Sequence, residues 1–280
     1  MASPDQVPRI TLANGVEIPQ LGFGTFLIDP ADCVEAVTAA FETGYRHIDT
    51  AEMYGNEKEV GEAVARSGLD RSEIFITSKL DNGAHAPDDA LRAFDGTLAA
   101  LGVEQVDLFL IHWPLPTVMD FVPTWKVLER VHGEGRARAI GVSNFHVPHL
   151  ERLLSEAEVV PAVNQIEVHP YLTQEPLRAF DREHGIATES WSPIARGGEL
   201  LGDPVVSGIA ERLGRTPAQV VLRWHVQQGL IVFPKSTKPE RIRENFELWD
   251  FTLSKDELDA ISGLNRGQRT GPDPDTFDRH

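Results

Sequence analysis

The sequence has one cysteine, Cys33, among 280 residues. A lone thiol allows neither an intrachain disulfide nor a thiolate metal cage, and it suits a reducing compartment, so a cytoplasmic setting is expected. Basic residues are scarce beside acidic ones: 26 Lys and Arg stand against 43 Asp and Glu, a formal net charge of −17. Such a surface repels phosphate backbones and acidic lipids, which sets nucleic-acid and membrane partners aside. Any anionic ligand needs a basic site built locally against that field. No apolar run approaches the roughly 20 residues of a spanning helix, and MASPDQVPRI lacks the basic and apolar regions of a signal peptide. Ser/Gly linkers and low-complexity tracts are missing too, so residues 1–280 read as a single domain. At 41% hydrophobic residues the chain can bury a large core, which excludes wholesale disorder.

What is present begins with a hairpin: RITL, a turn carrying Asn14-Gly15, then VEIPQ. Short apolar runs then alternate with helical patterns. The runs are QLGFG, YRHID, IFITSK, VDLFLIH, ARAIGVSN, PAVNQ, IATESW and LIVFPK. Most are four to six residues of Ile, Val, Leu and Phe, too short for helices and too continuous for strands with one wet face, which predicts parallel strands buried on both faces. Asp29-Pro30 opens a helix that Gly44 closes, Pro87 opens one that ends at Gly102, and Thr216-Pro217-Ala218-Gln219 is a capping box. Strand starts recur about every 30 residues, one βα unit each. The pattern predicts an α/β fold, a single (β/α)8 TIM barrel with the hairpin closing its bottom. An open doubly wound sheet is the alternative, but LGFGTF lacks the third glycine and following helix of a dinucleotide turn.

In such a barrel the chemistry sits just past the C-terminal ends of the strands. The residues stopping the eight runs are Thr25, Asp49, Lys79, His112, Asn144, Gln165, Trp191 and Lys235. The ten histidines are dispersed rather than arranged as metal ligands, and no Gly-x-Ser-x-Gly elbow is present, so metal-assisted hydrolysis and serine acyl transfer are not expected. Lys79 leaves a Schiff-base aldolase open. Asp49, Tyr54, Lys79 and His112 suggest a different chemistry. A phenol is too weak an acid near neutrality, an ammonium beside it stabilises the phenolate, and Asp49 can hold that ammonium charged. His112 can donate toward an oxygen gaining negative charge. Together they suit carbonyl reduction if a hydride donor lies alongside.

Near the C-terminus Lys235, Lys238, Arg241 and Arg243 cluster with Ser236 and Thr237 at an expected helix start, Thr237-Lys238-Pro239. This is either a phosphate-monoester site or a solvated cationic face. Tyr54, His112 and Lys79, taken singly, could each be packing or rim residues, and Phe26, Met53 and Trp113 are packing residues first, although they sit beside the candidate site.

The segments GYRHIDTAEMYGNEKEVGEAV, LFLIHWP, GVSNF, VNQIEVHP and IVFPKSTKPERIRENF resemble the aldo-keto reductase family, from the hairpin to about Leu264. The resemblance implies a barrel that reduces aldehydes and ketones with NADPH bound in extended form. It implies Asp49, Tyr54, Lys79 and His112 as the catalytic tetrad, with Tyr54 as proton donor. It implies that Ser143, Asn144 and Gln165 hold the nicotinamide carboxamide and that Trp191 stacks on the ring, where many members carry Tyr. Lys235, Ser236, Thr237 and Arg241 would read the 2′-phosphate and Asn245 the adenine, with Thr25 and Ser192 completing the cofactor set. Phe26, Met53, His112 and Trp113 would face a small carbonyl substrate such as an aldehyde, diketone or keto-sugar. A monomer is expected. An NADPH-binding regulatory barrel without turnover stays open as a second class.

Overall fold

The computed structural model describes residues 4–279, so Met1–Ser3 and His280 of the expected single domain lie outside the described residues. The hairpin forms as read, with β1 (Arg9–Thr11) antiparallel to β2 (Glu17–Pro19). Gly15 takes the left-handed conformation that its turn requires, at φ 82°. The parallel strands follow: β3 (Phe23–Gly24), β4 (His47–Asp49), β5 (Phe75–Leu80), β6 (Val106–Ile111), β7 (Ala137–Ser143), β8 (Val163–Glu167), β9 (Ala187–Trp191) and β10 (Ile231–Val232). They pair in chain order. The sheet closes on itself because Leu21 bridges Val232 in parallel, with Gly22 N–H donating to the Val232 carbonyl at 2.9 Å. Closure makes the architecture a barrel and excludes the open sheet.

Between strands lie α1 (Pro30–Thr43), α2 (Glu57–Arg66), α3 (Pro87–Leu101), α4 (Val122–Gly133), α5 (Val147–Leu154) and α6 (Glu175–Glu183). The expected signals act as read: Asp29 caps α1, Gly44 and Gly102 end α1 and α3 at positive φ, and Thr216 forms its capping box. One connection differs from a plain βα repeat. Between β9 and β10 stand two helices, α7 (Pro204–Leu213) and α8 (Pro217–Gln227), because Gly214 stops the first in the left-handed region and Thr216-Pro217 starts another. After β10 come α9 (Pro239–Phe246) and α10 (Lys255–Ser262).

Both faces of β5 and β6 are buried, with no exposed residue on either, and β6, VDLFLI, accordingly runs almost wholly apolar without alternation. A large core lies between the sheet and the helices, and a smaller one fills the barrel. The inner core joins Leu12 and Ile18 of the hairpin to Phe75, Leu108, Leu110, Val163, Ile231 and Phe233, so the hairpin plugs the barrel. The plug is at the bottom: the Pro19 carbonyl lies 3.3 Å from His47 Nδ1, at the start of β4. Each such buried side chain contributes roughly 1.5–3 kcal/mol. Gly22 is needed here, since a Cβ would lie 2.8 Å from the His47 ring.

The C-terminal tail returns across the top. Thr270 and Gly271 donate backbone N–H groups to Glu167 at the end of β8, Asp275 meets His146 at 2.8 Å, and Phe277 packs on Trp113 beyond β6.

Candidate active site

The top of β4 and β5 brings three of the expected residues into contact. Asp49 is the last residue of β4, Lys79 lies near the end of β5, and Tyr54 sits in the short helical turn Glu52–Tyr54 that follows β4. Lys79 Nζ donates to both Asp49 oxygens at 2.8 and 2.9 Å, to the Thr50 carbonyl at 2.8 Å and to the Tyr54 hydroxyl at 3.2 Å. Its accessibility is 0%. Burial opposes its charge, but Asp49 and Tyr54 outweigh burial and raise its pKa, so it is an ammonium. This speaks against the aldolase: a Schiff base needs a free amine lone pair, and here every N–H is spoken for.

Tyr54 corrects one expectation. Its phenol pKa is raised, because burial outweighs the lowering by Lys79. The ammonium limits the rise rather than reversing it, and the phenol keeps its proton at neutral pH. His112, just past β6, meets the Tyr54 ring edge-on at 5.7 Å between centroids. Burial, then the Lys79 charge, pull its pKa well below the usual histidine value, so it is a neutral imidazole.

The candidate cofactor residues fall into two places. At the ends of β7, β8 and β9, Ser143 donates to the Gln165 carbonyl at 2.8 Å, and Asn144 donates to Ser143 Oγ and to the His112 carbonyl, both at 3.0 Å. Asn144 adopts φ 63°, and its Oδ1 accepts the Trp191 indole N–H at 2.7 Å, which fixes the plane of that ring. Gln165 Nε2 is committed inward to Asp49, while its Oε1 has no partner within the protein. Ser192 follows at φ 48°. Thr25 is fully buried, with its hydroxyl held by the Asp49 carbonyl at 3.1 Å and by Asn56 at 3.4 Å. The second place is the loop from β10 into α9. Lys235, Thr237 and Arg241 are exposed, Ser236 and Asn245 are buried, and Ser236 Oγ accepts the Lys238 N–H at 3.1 Å. Lys235, Lys238, Arg241 and Arg243 form no salt bridge among the described residues. In a chain of net charge −17, unspent cations beside a helix start fit an anionic group.

Around the mouth, Phe26 and Met53 are 45% and 42% exposed, and Trp113 is 7% exposed. Phe26 lies against Tyr54 at 5.1 Å, and Trp113 is covered by Phe277 at 4.4 Å.

Residues 20–266 match the Aldo/keto reductase family. The chain belongs to that family. Morphine 6-dehydrogenase of Pseudomonas putida is 47% identical, over 97% of this chain and 96% of its own length. Methylglyoxal reductase DkgA of Escherichia coli K12 is 46% identical, over 96% and 97%. A crystal structure of a Gox0644 mutant in complex with NADPH superposes with a TM-score of 0.93 at 43% identity, covering 97% of this chain and 98% of that one.

Two parts of this aldo-keto reductase site escape a reading of strand ends. Glu189 is two residues before Trp191 on β9, on the same side of the strand, and its carboxyl reaches Gln165. The signal was the one charged residue in the strand ATESW, two positions before Trp191. Phe277 lies in a short tail with no periodic pattern, and nothing local announces its contact with Trp113. Among the described residues no helix is long and apolar enough to cross a membrane.

Proposed function

We propose that this aldo-keto reductase reduces small aldehydes, diketones or keto-sugars to alcohols with NADPH, and that Tyr54 supplies the proton. The observation that carries the reading is the 3.2 Å contact between Lys79 Nζ and the Tyr54 hydroxyl, with Asp49 closing the ion pair behind it. NADPH, when bound, supplies the hydride. Two features fit that cofactor: the unpaired Gln165 Oε1, an acceptor for a carboxamide N–H, and the unpaired cations of the β10–α9 loop. Gln165, Ser143 and Asn144 would hold the nicotinamide carboxamide and Trp191 would lie on its ring. Lys235, Ser236, Thr237 and Arg241 would hold the 2′-phosphate and Asn245 the adenine, with Thr25 and Ser192 completing the cofactor-binding set.

The chain's own steps follow from its electrostatics. Tyr54 is protonated at neutral pH and can donate to an oxygen that has gained charge. Lys79 lies beside the resulting phenolate and stabilises it, while Asp49 keeps Lys79 charged. Neutral His112 can donate to the same oxygen without adding a competing acid. Phe26, Met53 and Trp113 offer apolar contact around this polar centre. We place the whole chain in one domain, acting as a monomer in the cytoplasm; light scattering tests the oligomeric part. The function itself is tested by following NADPH oxidation across a panel of carbonyls. Turnover of methylglyoxal-like substrates supports it, and NADPH binding without any turnover would favour a regulatory barrel.

A further inference from the structure

Glu189 is an acid in the interior of the barrel. It pairs in register with Gln165 on β8 and Ile231 on β10, and its accessibility is 0%. Gln165 Nε2 donates to Glu189 Oε2 at 2.8 Å and to Asp49 Oδ2, also at 2.8 Å. Two carboxyl groups thus share one amide nitrogen. Glu189 Oε1 has no hydrogen-bond partner.

The charges acting on Glu189 are Asp49 from β4 and Lys79 from β5. From β10 it faces Ile231, and from β8 the neutral Gln165. His47, lower on β4, is kept neutral by burial, and Glu167, nearer the mouth on β8, is bonded to His169, Thr270 and Gly271. Among the described residues the interior therefore offers one cation, Lys79, and Asp49 already holds it through both oxygens. A second anion here would be uncompensated.

We propose that Glu189 is a positioning residue for carbonyl reduction, a neutral acid that anchors the Gln165 amide and keeps the Asp49–Lys79–Tyr54 centre free of a second negative charge. Burial, reinforced by the Asp49 charge, pushes the Glu189 pKa to about 8. Its Oε2 accepts a Gln165 N–H in either form, so the two N–H groups of Gln165 stay committed to Asp49 and Glu189. Its ionised form would add an anion one amide away from Asp49. That anion opposes conversion of Tyr54 to phenolate, the change that proton donation requires, so reduction should slow as Glu189 ionises.

The proposal rests on the reductase reading above, and the variant Glu189→Gln tests it. The substitution keeps an acceptor for Gln165 and removes the ionisation. The wild type should show kcat/KM for methylglyoxal reduction falling with a midpoint near pH 8. Glu189→Gln should move that midpoint up by about one pH unit or more, with the NADPH Kd within about threefold of wild type. Glu189→Val, which removes the acceptor, should weaken NADPH about tenfold, as read by tryptophan fluorescence. On the cofactor-free protein, infrared difference spectra of wild type minus Glu189→Gln should show a protonated carboxyl band that disappears with the same midpoint. Superimposable pH profiles in active wild type and Glu189→Gln, or no such band at neutral pH, would overturn the assignment of Glu189 alone. A wild type that binds NADPH but reduces no carbonyl would overturn the reductase reading first.

Discussion

Lys79 Nζ lies 2.8 and 2.9 Å from the two carboxylate oxygens of Asp49, and neither side chain reaches solvent to any useful extent. A buried pair of this kind is costly to break from one side, because the partner is left charged without compensation. Lys79→Met is therefore expected to lose activity and also roughly 3–5 kcal/mol of stability. Lys79→Met with Asp49→Leu should recover much of that stability and none of the activity. Urea unfolding beside NADPH oxidation separates the two effects. A fully stable single variant would mean that the pair does not behave as a buried ion pair.

Cofactor choice follows from charge. The 2′-phosphate of NADPH must approach a protein of net charge −17, and the exposed Lys235 and Arg241 carry no internal salt bridge. Charge-assisted hydrogen bonds contribute roughly 1.5–3 kcal/mol each, so Lys235→Met or Arg241→Ala should weaken NADPH about ten- to hundredfold. NADH should barely change, and added salt should weaken NADPH more than NADH in wild type. Titrations followed by tryptophan fluorescence give both constants. Equal loss of both cofactors would make these residues supports of the fold.

Acid should destabilise the protein from well above the carboxylate range. Burial pulls His47 and His225 down to about 3, against an ordinary value of 6.5. Both are neutral when folded and take up protons when unfolded. Their contribution is complete above pH 6.5 and is lost as pH falls toward 3, at about 1.4 kcal/mol per pH unit for each. Unfolding free energies measured between pH 7 and 4 check this, and His47→Gln should flatten the slope by about one proton. An unchanged slope would place His47 in contact with solvent.

The proposed substrate contact Trp113 is covered by the tail. Phe277 packs on Trp113, and aromatic pairs contribute about 0.5–1.5 kcal/mol beyond the area they bury. Phe277→Ala should lower kcat/KM for compact carbonyls about three- to tenfold with NADPH affinity unchanged, and it should narrow the preference for them over a bulky steroid ketone. A steroid ketone preferred by the wild type would contradict the compact pocket.

Much of this was legible in the sequence for a physical reason. Strands buried on both faces must read as apolar runs, so the polar residues that stop them, such as Asp49, Lys79 and His112, mark the mouth. Caps such as Asp29 and Thr216 and stops such as Gly102 act through local backbone chemistry and need no tertiary knowledge. What stayed hidden depends on contacts across the barrel. Whether burial or Lys79 dominates the Tyr54 phenol is decided by depth in the structure, which spacing does not encode. Glu189 gains meaning only when β4, β8 and β9 bring Asp49, Gln165 and its own carboxyl together. The tail reaches Trp113 from more than a hundred and fifty residues away, with no periodicity to announce it.

The central claim is that Tyr54 gives the proton, and Tyr54→Phe tests it most directly. The change removes one hydroxyl and leaves the ring against Phe26 and His112. Methylglyoxal reduction and NADPH affinity are to be measured on the same preparations of wild type and variant. General acid catalysis is worth typically 10²–10⁴-fold, so kcat is expected to fall by about that factor while the NADPH Kd stays within about threefold. A fall smaller than about tenfold, with the cofactor still bound, would contradict Tyr54 as the donor.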